Sequence, residues 1–243
     1  MSTVVSAPPP PDVRRHCCWI TRGDCIPGSP RILIAPRTWR TISSFAPTWI
    51  ARPVPSPVAD LLGDLAAAFD ALAMPWYVFG AQAAIIYGVA RLTADVDVTV
   101  RAPAGVPTGT WLAVVEQHGF SRRFTDPAFI EQSRVVPLVH GATGLPVDVV
   151  LAGPGLEDEF LARAVYLSVD SVRVPVVEVS DLVILKVLAG RPKDLEDVVV
   201  LLRVQGPQVD GARVRHILRM LEEALGQSDL VAAFERALAR HTR

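Results

Sequence analysis

Residues 76–100 read WYVFGAQAAIIYGVARLTADVDVTV, and this stretch decides the fold that we expect. Its apolar runs and glycines predict, in order, a buried strand, a short helix and a second strand (76–80, 81–88 and 95–100). Two acids, Asp95 and Asp97, stand in the second strand. Aspartate is a poor strand former, and a buried carboxylate without a partner is costly. The two acids in this strand therefore require an explanation, either a compensating interaction or a function.

Asp95 and Asp97 are two residues apart, so on a strand their side chains point to the same face, about 6–7 Å apart along the backbone. Two carboxylates placed in this way repel each other unless a cation lies between them. Hard oxygen ligands of this kind suit Mg²⁺ or Mn²⁺. The alternative is a strand edge that faces solvent, and a lone D-x-D triplet supports no more than that.

A third acid, Asp148, stands in the apolar run LPVDVVL at 145–151, which is typical of a buried strand. If this strand lies beside the first, the carboxylates of Asp95, Asp97 and Asp148 converge on one metal site. Metal-assisted phosphoryl transfer requires that arrangement. A polar residue at the end of a strand is an equally good interpretation of Asp148 by itself.

The turn at Gly80 and Ala81 closes the first strand and opens the helix that follows. A helix N-terminus offers free N–H groups to a phosphate, and a small residue at 81 lets the backbone come close to it. A glycine at such a turn is weak evidence by itself. Arg91 and Thr93 lie just ahead of the acids, where they could supply a charge and a hydroxyl group.

Lysine is rare in this chain: there are 22 arginines and only two lysines, Lys186 and Lys193. Lys186 lies within the apolar run LVILKVL, and its compact ammonium group could reach a triphosphate. The alternative is a lysine that extends from an amphipathic helix to solvent. We prefer that alternative for Lys193, at a helix start, and we expect Lys186 to belong to the site.

The rest of the chain predicts an α+β half at 57–178 followed by a helical half at 179–243. Ser56 and Pro57 form a typical helix start. The predicted helices are 57–73, 108–118, 155–165, 180–190, 193–205, 210–226 and 228–241. The further predicted strands are an edge strand at 120–125, a hairpin of 134–140 and 145–151, and a strand at 171–179.

Residues 1–56 differ from the remainder in composition. They hold seven arginines, two aspartates and no glutamate, and they include the proline run 8–11 and all three cysteines. This composition predicts a disordered Pro/Arg-rich extension. We favour a start codon assigned too far upstream as the explanation, and a transit-like or partner-binding segment is the alternative. Adjacent cysteines without a histidine cluster do not favour a metal site here.

The bulk properties narrow the classes of function. The net charge is −1, and residues 57–243 sum to −6, so charge alone gives no support for nucleic-acid binding. The apolar stretch at 76–90 is too short to span a bilayer and nothing resembles a signal peptide. We therefore expect a cytoplasmic protein without a membrane partner.

Taken together, these residues resemble the opening of the DNA polymerase β-like nucleotidyltransferases. Gly80-Ala81 followed by Arg91-x-Thr93-x-Asp95-x-Asp97, and K-x-x-A-x-R-x-K-D-x-x-D at 186–197, are similar to the AbiEii-type and MenT-like toxin nucleotidyltransferases and their uncharacterised relatives. The resemblance covers about residues 57–205. Ala81 departs from it, since glycine or serine is usual there.

The resemblance implies a polymerase β-like core, a small mixed sheet flanked by helices, followed by a C-terminal helical bundle. It implies that Gly80 and Ala81 hold the triphosphate with Arg91 and Thr93 beside it. Asp95 and Asp97 would bind metal, and Asp148 would complete the site and help to deprotonate the acceptor hydroxyl. Lys186 would contact the nucleotide phosphates. Asp194 and Asp197 match the downstream acids, and one of them would help to bind nucleotide. Both could equally be acids at a helix start favoured by the dipole, which we prefer for Asp197.

The implied activity is transfer of a nucleoside monophosphate from an NTP to a hydroxyl on a tRNA 3′ end, a protein or a small molecule, with Mg²⁺ or Mn²⁺ as cofactor. The resemblance also implies a toxin of a type IV-like toxin–antitoxin pair, with an antitoxin protein as partner. Two alternatives stay open. One is a catalytically degenerate nucleotidyltransferase fold that serves as a binding or regulatory module, and the other is a structural α+β protein with exposed acids.

Overall fold

A computed structural model describes residues 56–124 and 126–241, which lie in one compact unit. The prediction for residues 1–56 concerns, apart from Ser56, residues outside this part of the chain. The elements are α1 (Pro57–Ala71), β1 (Trp76–Phe79), α2 (Gly80–Ile86), β2 (Val96–Val100), α3 (Thr108–Gln117), β3 (Phe120–Arg122), α4 (Pro127–Ser133), β4 (Val135–His140), β5 (Pro146–Leu151), α5 (Leu156–Arg163), β6 (Val165–Val169), β7 (Val172–Val176), α6 (Val179–Ala189), α7 (Pro192–Gln205), α8 (Gly211–Leu225) and α9 (Leu230–His241).

The strands form one mixed seven-stranded sheet in the order β3-β4-β5-β2-β1-β7-β6. The pairs β2–β5 and β1–β7 are parallel, and the other neighbours are antiparallel. β2 lies in the middle of this order with β1 on one side and β5 on the other. The acid-bearing strands predicted from the sequence are therefore direct neighbours, and the prediction of a mixed sheet flanked by helices is confirmed.

Helix α1 begins as its sequence predicts. The Ser56 hydroxyl accepts a hydrogen bond from the Ala59 N–H at 3.3 Å, and Pro57 takes the first helical position, where its missing N–H costs nothing. One face of the helix is fully buried against β7 and α3, through Leu61, Leu62, Leu65 and Phe69. Burial of large side chains of this type is the main stabilising contribution to the fold.

The last four helices pack against one another, and α6 also packs against α2. α6 is buried almost throughout, since Leu182, Val183, Ile184 and Val187 are all inaccessible or nearly so. It contacts α2, α7 and α8, while α9 packs against α7 and α8. α6 and α2 together bring the start of the helical region next to the turn that follows β1. None of the described helices is long and apolar enough to cross a membrane.

Two elements differ from the sequence prediction. Helix α5 ends at Arg163, and residues predicted as the end of that helix and as a loop form β6, which pairs antiparallel with β7. Asp170 adopts a left-handed conformation (φ 52°) in the turn between them, so a hairpin forms there without a glycine. Helix α4 was not predicted, although Asp126 caps it and Pro127 starts it.

Candidate active site

The parallel pairing of β2 with β5 places Asp97 directly opposite Asp148. Val96 and Val98 on β2 are buried in the core, and so is Val147 on β5, so the alternation of a strand turns both acids to the other face of the sheet. The strand that carries Asp148 thus lies beside the strand that carries Asp97, as a shared metal site requires. Asp95 precedes β2 by one residue, and one carboxylate oxygen from each of the three acids lies within 4.8 Å of the others.

Gly80 makes room for one of these carboxylates. It is the first residue of α2 and has a φ of +65°, a conformation that residues with a Cβ rarely adopt. A Cβ at this position would lie 2.1 Å from Oδ2 of Asp97. The glycine is therefore needed both for the turn after β1 and for the position of the Asp97 carboxylate. Ala81 follows in the first turn of α2, half-buried.

Asp97 is the most electrostatically perturbed of the three acids. Burial raises its pKa from 3.8 to about 6, and the negative charges of Asp95 and Asp148 act in the same direction. Arg191 and Lys186 act against this shift. Crowded carboxylates of this kind are typical of a position built for a cation.

Asp95 is exposed, and its orientation is fixed from the preceding loop. The Thr93 hydroxyl donates a hydrogen bond to Oδ1 of Asp95 at 2.6 Å. Thr93 was expected to lie beside a triphosphate. In the structure its hydroxyl is hydrogen-bonded to one of the acids, and its place beside a triphosphate stays a prediction.

Asp148 pairs with Arg123, a residue that the sequence analysis did not single out. The Arg123 guanidinium forms an ion pair with Oδ1 of Asp148, and about a third of each side chain is exposed, 34% and 35%. Arg123 follows β3, and its backbone N–H donates to the Pro137 carbonyl at 2.9 Å. Because Pro137 lies opposite Asp148 in the β4–β5 register, the β-sheet itself brings Arg123 to the acid.

Lys186 lies in a buried ion-pair network. Its Nζ is 2.7 Å from Oδ2 of Asp197 and 3.3 Å from Oδ1 of Asp194, and only 3% of its side chain is exposed. Arg91 forms an ion pair with the same oxygen of Asp197. The network joins the loop before β2 to α6 and α7. Lys186 thus does not extend to solvent, whereas Lys193 is exposed near the start of α7 as expected.

The preferred interpretation of Asp197 was wrong. Asp197 lies in the second turn of α7 rather than at its start, and its side chain is 8% exposed. Two cations, Lys186 and Arg91, hold it there. Its position is therefore explained by buried ion pairs and not by the helix dipole, which acts mainly within the first turn.

Arg191 is a second residue that the sequence analysis left without a role, although it stands in the 186–197 motif. Its Nε donates to Oδ2 of Asp194 at 2.5 Å, and 62% of its side chain is exposed. It lies close enough to Asp97 and Asp95 for their negative charges to raise its pKa, after the larger effect of the hydrogen bond to Asp194. Among the described residues its terminal nitrogens have no hydrogen-bond partner. Arg191 is thus held by Asp194 within electrostatic range of Asp97 and Asp95, with donors to spare.

The residues present fit a divalent ion such as Mg²⁺ or Mn²⁺. Three carboxylates contribute one oxygen each from one side, which leaves the other positions of an octahedral ion for water or phosphate oxygens. The space beside Gly80 and the raised pKa of Asp97 agree with such a site. The expected ligands Asp95, Asp97 and Asp148 are brought together, while Lys186 and Asp194 form an ion pair with each other.

A family described as "Nucleotidyltransferase of unknown function (DUF6036)" has a sequence profile that matches residues 65–218. The match includes all three acids and the ion-pair network around Lys186. It confirms the prediction of a nucleotidyltransferase. No curated protein matches the chain.

Several solved structures are similar to this chain. The solution structure of the antibiotic-resistance factor ANT(2″)-Ia has 16% identity and a TM-score of 0.48, over 77% of this chain and 96% of that one. An antigenic nucleotidyltransferase-like protein from Paracoccidioides brasiliensis has 16% identity and a TM-score of 0.47, over 75% and 94%. The lincosamide antibiotic adenylyltransferase LnuA, lincomycin-bound, has 12% identity and a TM-score of 0.39, over 56% and 91%. These similarities are too distant to assign a substrate to this chain.

Proposed function

We propose, from the premise that the chain belongs to the DUF6036 family of nucleotidyltransferases, that it transfers a nucleoside monophosphate from an NTP to a hydroxyl group in a Mg²⁺-dependent reaction that releases pyrophosphate. The observation that carries this proposal is the convergence of three carboxylates from β2, β5 and the preceding loop within 4.8 Å. Arg191, held beside them with free donors, supports it.

In this proposal Asp95, Asp97 and Asp148 hold the divalent ion, with Mn²⁺ as an alternative to Mg²⁺. When bound, the ion neutralises charge on the phosphate oxygens and orients them for displacement. Gly80 leaves the space in which the Asp97 carboxylate lies. Thr93 fixes Asp95 by its hydrogen bond, so it acts as a positioning residue.

The triphosphate lies on the side of the acids where β1 ends and α2 begins. The backbone of Gly80 and Ala81 approaches it, and the free guanidinium nitrogens of Arg191 donate to its oxygens. Asp194 holds Arg191 in place, and Lys186 in turn holds Asp194. Lys186 and Arg91 are thus proposed as positioning residues, because Lys186 pairs with Asp194 and Asp197 and Arg91 pairs with the same Asp197 oxygen.

The acceptor approaches from the side of Asp148. A carboxylate oxygen of Asp148 accepts the proton of the attacking hydroxyl group. The acceptor oxygen forms a bond with the α-phosphorus while the bond to the oxygen bridging to the β-phosphate breaks, and pyrophosphate leaves. In this layout residues 57–178 supply the acids, and residues 179–243 supply Lys186 and Arg191.

The acceptor classes are a tRNA 3′ end, a protein side chain and a small molecule. The resemblance of the 80–97 and 186–197 motifs to toxin nucleotidyltransferases supports a role as the toxin of a type IV-like toxin–antitoxin pair, partnered by an antitoxin. The three acids and the free Arg191 favour this enzyme over a degenerate binding or regulatory module, since such a module needs no complete metal site.

The test incubates the full chain with each α-labelled NTP, Mg²⁺, and total RNA or cell extract. Label in RNA, in protein or in a small molecule identifies the acceptor class. Asp97→Asn is expected to lower transfer by about 10³-fold or more, since a direct metal ligand is lost. Asp70→Asn, an exposed acid on α1, is the matched control and should transfer as the wild type does.

The same experiment separates the alternatives. Binding of Mg²⁺–NTP without label transfer, in wild type and Asp97→Asn alike, would support the binding module. Absence of any Mg²⁺-dependent NTP binding by calorimetry would support the structural protein. Equal transfer by wild type and Asp97→Asn would overturn the proposed metal site.

A further inference from the structure

We propose that Arg123 is the anion-binding residue on the acceptor side of the site. Arg123 forms an ion pair with the Asp148 carboxylate until a divalent ion binds that carboxylate in its place. The acceptor then carries a phosphate or carboxylate group next to its reacting hydroxyl. This inference rests on the proposed function, because it needs Asp148 to be a metal ligand. It names a property of the acceptor that the three acids alone do not determine.

The first observation is the contact itself. Arg123 pairs with Oδ1 of Asp148, an oxygen on the carboxylate that completes the cluster of three acids. The pair is about one-third exposed on both sides, and ion pairs of this exposure are weak. A divalent ion bound by three carboxylates competes well with such a pair. Arg123 therefore neutralises the Asp148 carboxylate in the metal-free chain, and the ion pair breaks when a divalent ion binds to Asp148.

The second observation is the backbone of Arg123. Its N–H donates to the Pro137 carbonyl at 2.9 Å, and Pro137 is the β4 residue opposite Asp148. When the guanidinium releases Asp148, the residue stays anchored beside the acid. The free guanidinium then lies within a side chain's length of the place where the acceptor hydroxyl gives up its proton. An arginine in that position recognises a phosphate or carboxylate in a bidentate manner.

The third observation is the side from which Arg123 reaches the site. β3 and β4 lie beyond β5 in the sheet order, whereas Gly80 at the end of β1 lies on the other side of β2. Arg91 and Lys186 pair with Asp197, and Arg191 pairs with Asp194, so these cations are held by acids of α7. Within 56–124 and 126–241, Arg123 is the cation that contacts Asp148. Arg123 is thus separate from the cations that pair with the α7 acids, and it serves a different anion from the triphosphate.

The neighbouring arginine provides a matched control. Arg122 is also partly exposed, at 36%, but its Nε donates to Glu116 at 2.7 Å on α3. Strand alternation places Arg122 and Arg123 on opposite faces of the sheet edge. Arg122→Gln removes the same charge from the same segment without touching Asp148.

The first experiment titrates the metal-free full chain with Mn²⁺ and follows binding by electron paramagnetic resonance. Arg123→Gln is expected to bind Mn²⁺ about 2- to 5-fold more tightly than the wild type, because no ion pair with Asp148 has to be broken before the metal binds. Arg122→Gln should match the wild type. Unchanged or weaker binding in Arg123→Gln would overturn the exchange. Absence of Mn²⁺ binding in the wild type would instead overturn the proposed function itself.

The second experiment fills the nucleotide side with Mg²⁺ and a non-hydrolysable α,β-methylene NTP, and then adds inorganic phosphate or acetate while binding is followed by calorimetry. The wild type and Arg122→Gln are expected to bind one of the two anions, and Arg123→Gln is expected to lose that binding. Phosphate binding indicates a phosphorylated acceptor, and acetate binding indicates a carboxylate-bearing one. Binding of neither anion by the wild type, or equal binding by Arg123→Gln, would overturn the proposal.

Discussion

Single residues decide whether the carboxylates meet. Gly80 has no catalytic group, yet its missing side chain is the space that the Asp97 carboxylate fills. Asp95 and Asp97 could be predicted, because acids interrupt an apolar strand and are visible as exceptions. Arg123 could not, since it is one of 22 arginines and nothing local marks it, and Arg191 was given no role although it stands in the 186–197 motif. Their role depends on strand pairing and on the turn between α6 and α7, which the sequence does not display.

Gly80→Ala is expected to damage the metal site more than the fold. The new Cβ would displace the Asp97 carboxylate, so Mn²⁺ affinity should fall on the order of 10- to 100-fold. The positive φ should cost about 1 kcal/mol of unfolding free energy. Gly109→Ala, in α3 with open space around it, is the control and should leave Mn²⁺ affinity unchanged. Wild-type affinity in Gly80→Ala would contradict the role of this contact.

The pH dependence of stability should report on Asp97. Its pKa in the folded, metal-free chain is raised from 3.8 to about 6, so the folded state binds a proton more tightly than the unfolded chain does. This stabilisation is fully present below about pH 4 and is lost as the pH rises through about 6. Between pH 4 and 7 the metal-free wild type should therefore lose about 3 kcal/mol more than Asp97→Asn, as measured by urea unfolding. Parallel pH curves for the two proteins would contradict this.

At the scale of elements, β1, α2 and β2 could be predicted from the sequence, whereas β6 and α4 were missed. The strand, turn, helix and strand of 76–100 form β1, α2 and β2 within a few residues of the expected bounds. β6 was missed because Val165 was assigned to the end of a helix and residues 166–169 to no element, and Asp170 turns the chain without a glycine. α4 carried a usable signal, the Asp126-Pro127 start, in a segment too short to show helical periodicity.

The ion-pair network between the loop before β2, α6 and α7 makes Lys186 a structural necessity. Lys186→Met would leave Asp194 and Asp197 with fewer partners in a buried place, and the expected loss is about 3–5 kcal/mol of unfolding free energy. Lys193→Met changes the other lysine, which is exposed, and should cost less than about 0.5 kcal/mol. Urea unfolding of both variants measures the difference.

A second variant separates the ion pairs from simple packing. Lys186→Met combined with Asp194→Asn and Asp197→Asn removes the buried charges together and should recover part of the lost stability. If the triple variant is no more stable than Lys186→Met, the cost lies in the shape of the side chain rather than in its charge.

At the scale of the whole molecule, the helical region contacts the α+β region through α6, which packs on α2. α9 is the last layer, and it packs on α7 through its apolar face, where Phe234 is fully buried. α7 carries Asp194 and Asp197, so the packing of α9 on α7 also stabilises the ion-pair network that these two residues form with Lys186. The sequence predicted these helices from their periodicity but could not show which faces meet.

Phe234→Ala is expected to destabilise the chain by about 3–5 kcal/mol, because it removes a large buried side chain. Met220→Ala, half-exposed on α8, should cost less than about 0.5 kcal/mol. Hydrogen exchange followed by mass spectrometry tests how far the effect travels. Loss of protection in β2 and β5 would show one cooperative unit, whereas loss confined to 179–243 would contradict it and favour a boundary near residue 178.

The parallel pairing of β2 with β5 also orders events in time. Asp95 and Asp97 are neighbours from the moment they are synthesised, but Asp148 joins them only after the chain between the two strands has closed a long loop. Closing such a loop is entropically costly, and parallel pairings of this kind form slowly. A newly made chain therefore carries an incomplete set of ligands until β5 docks. The chain becomes competent for chemistry only when this long-range pairing has formed.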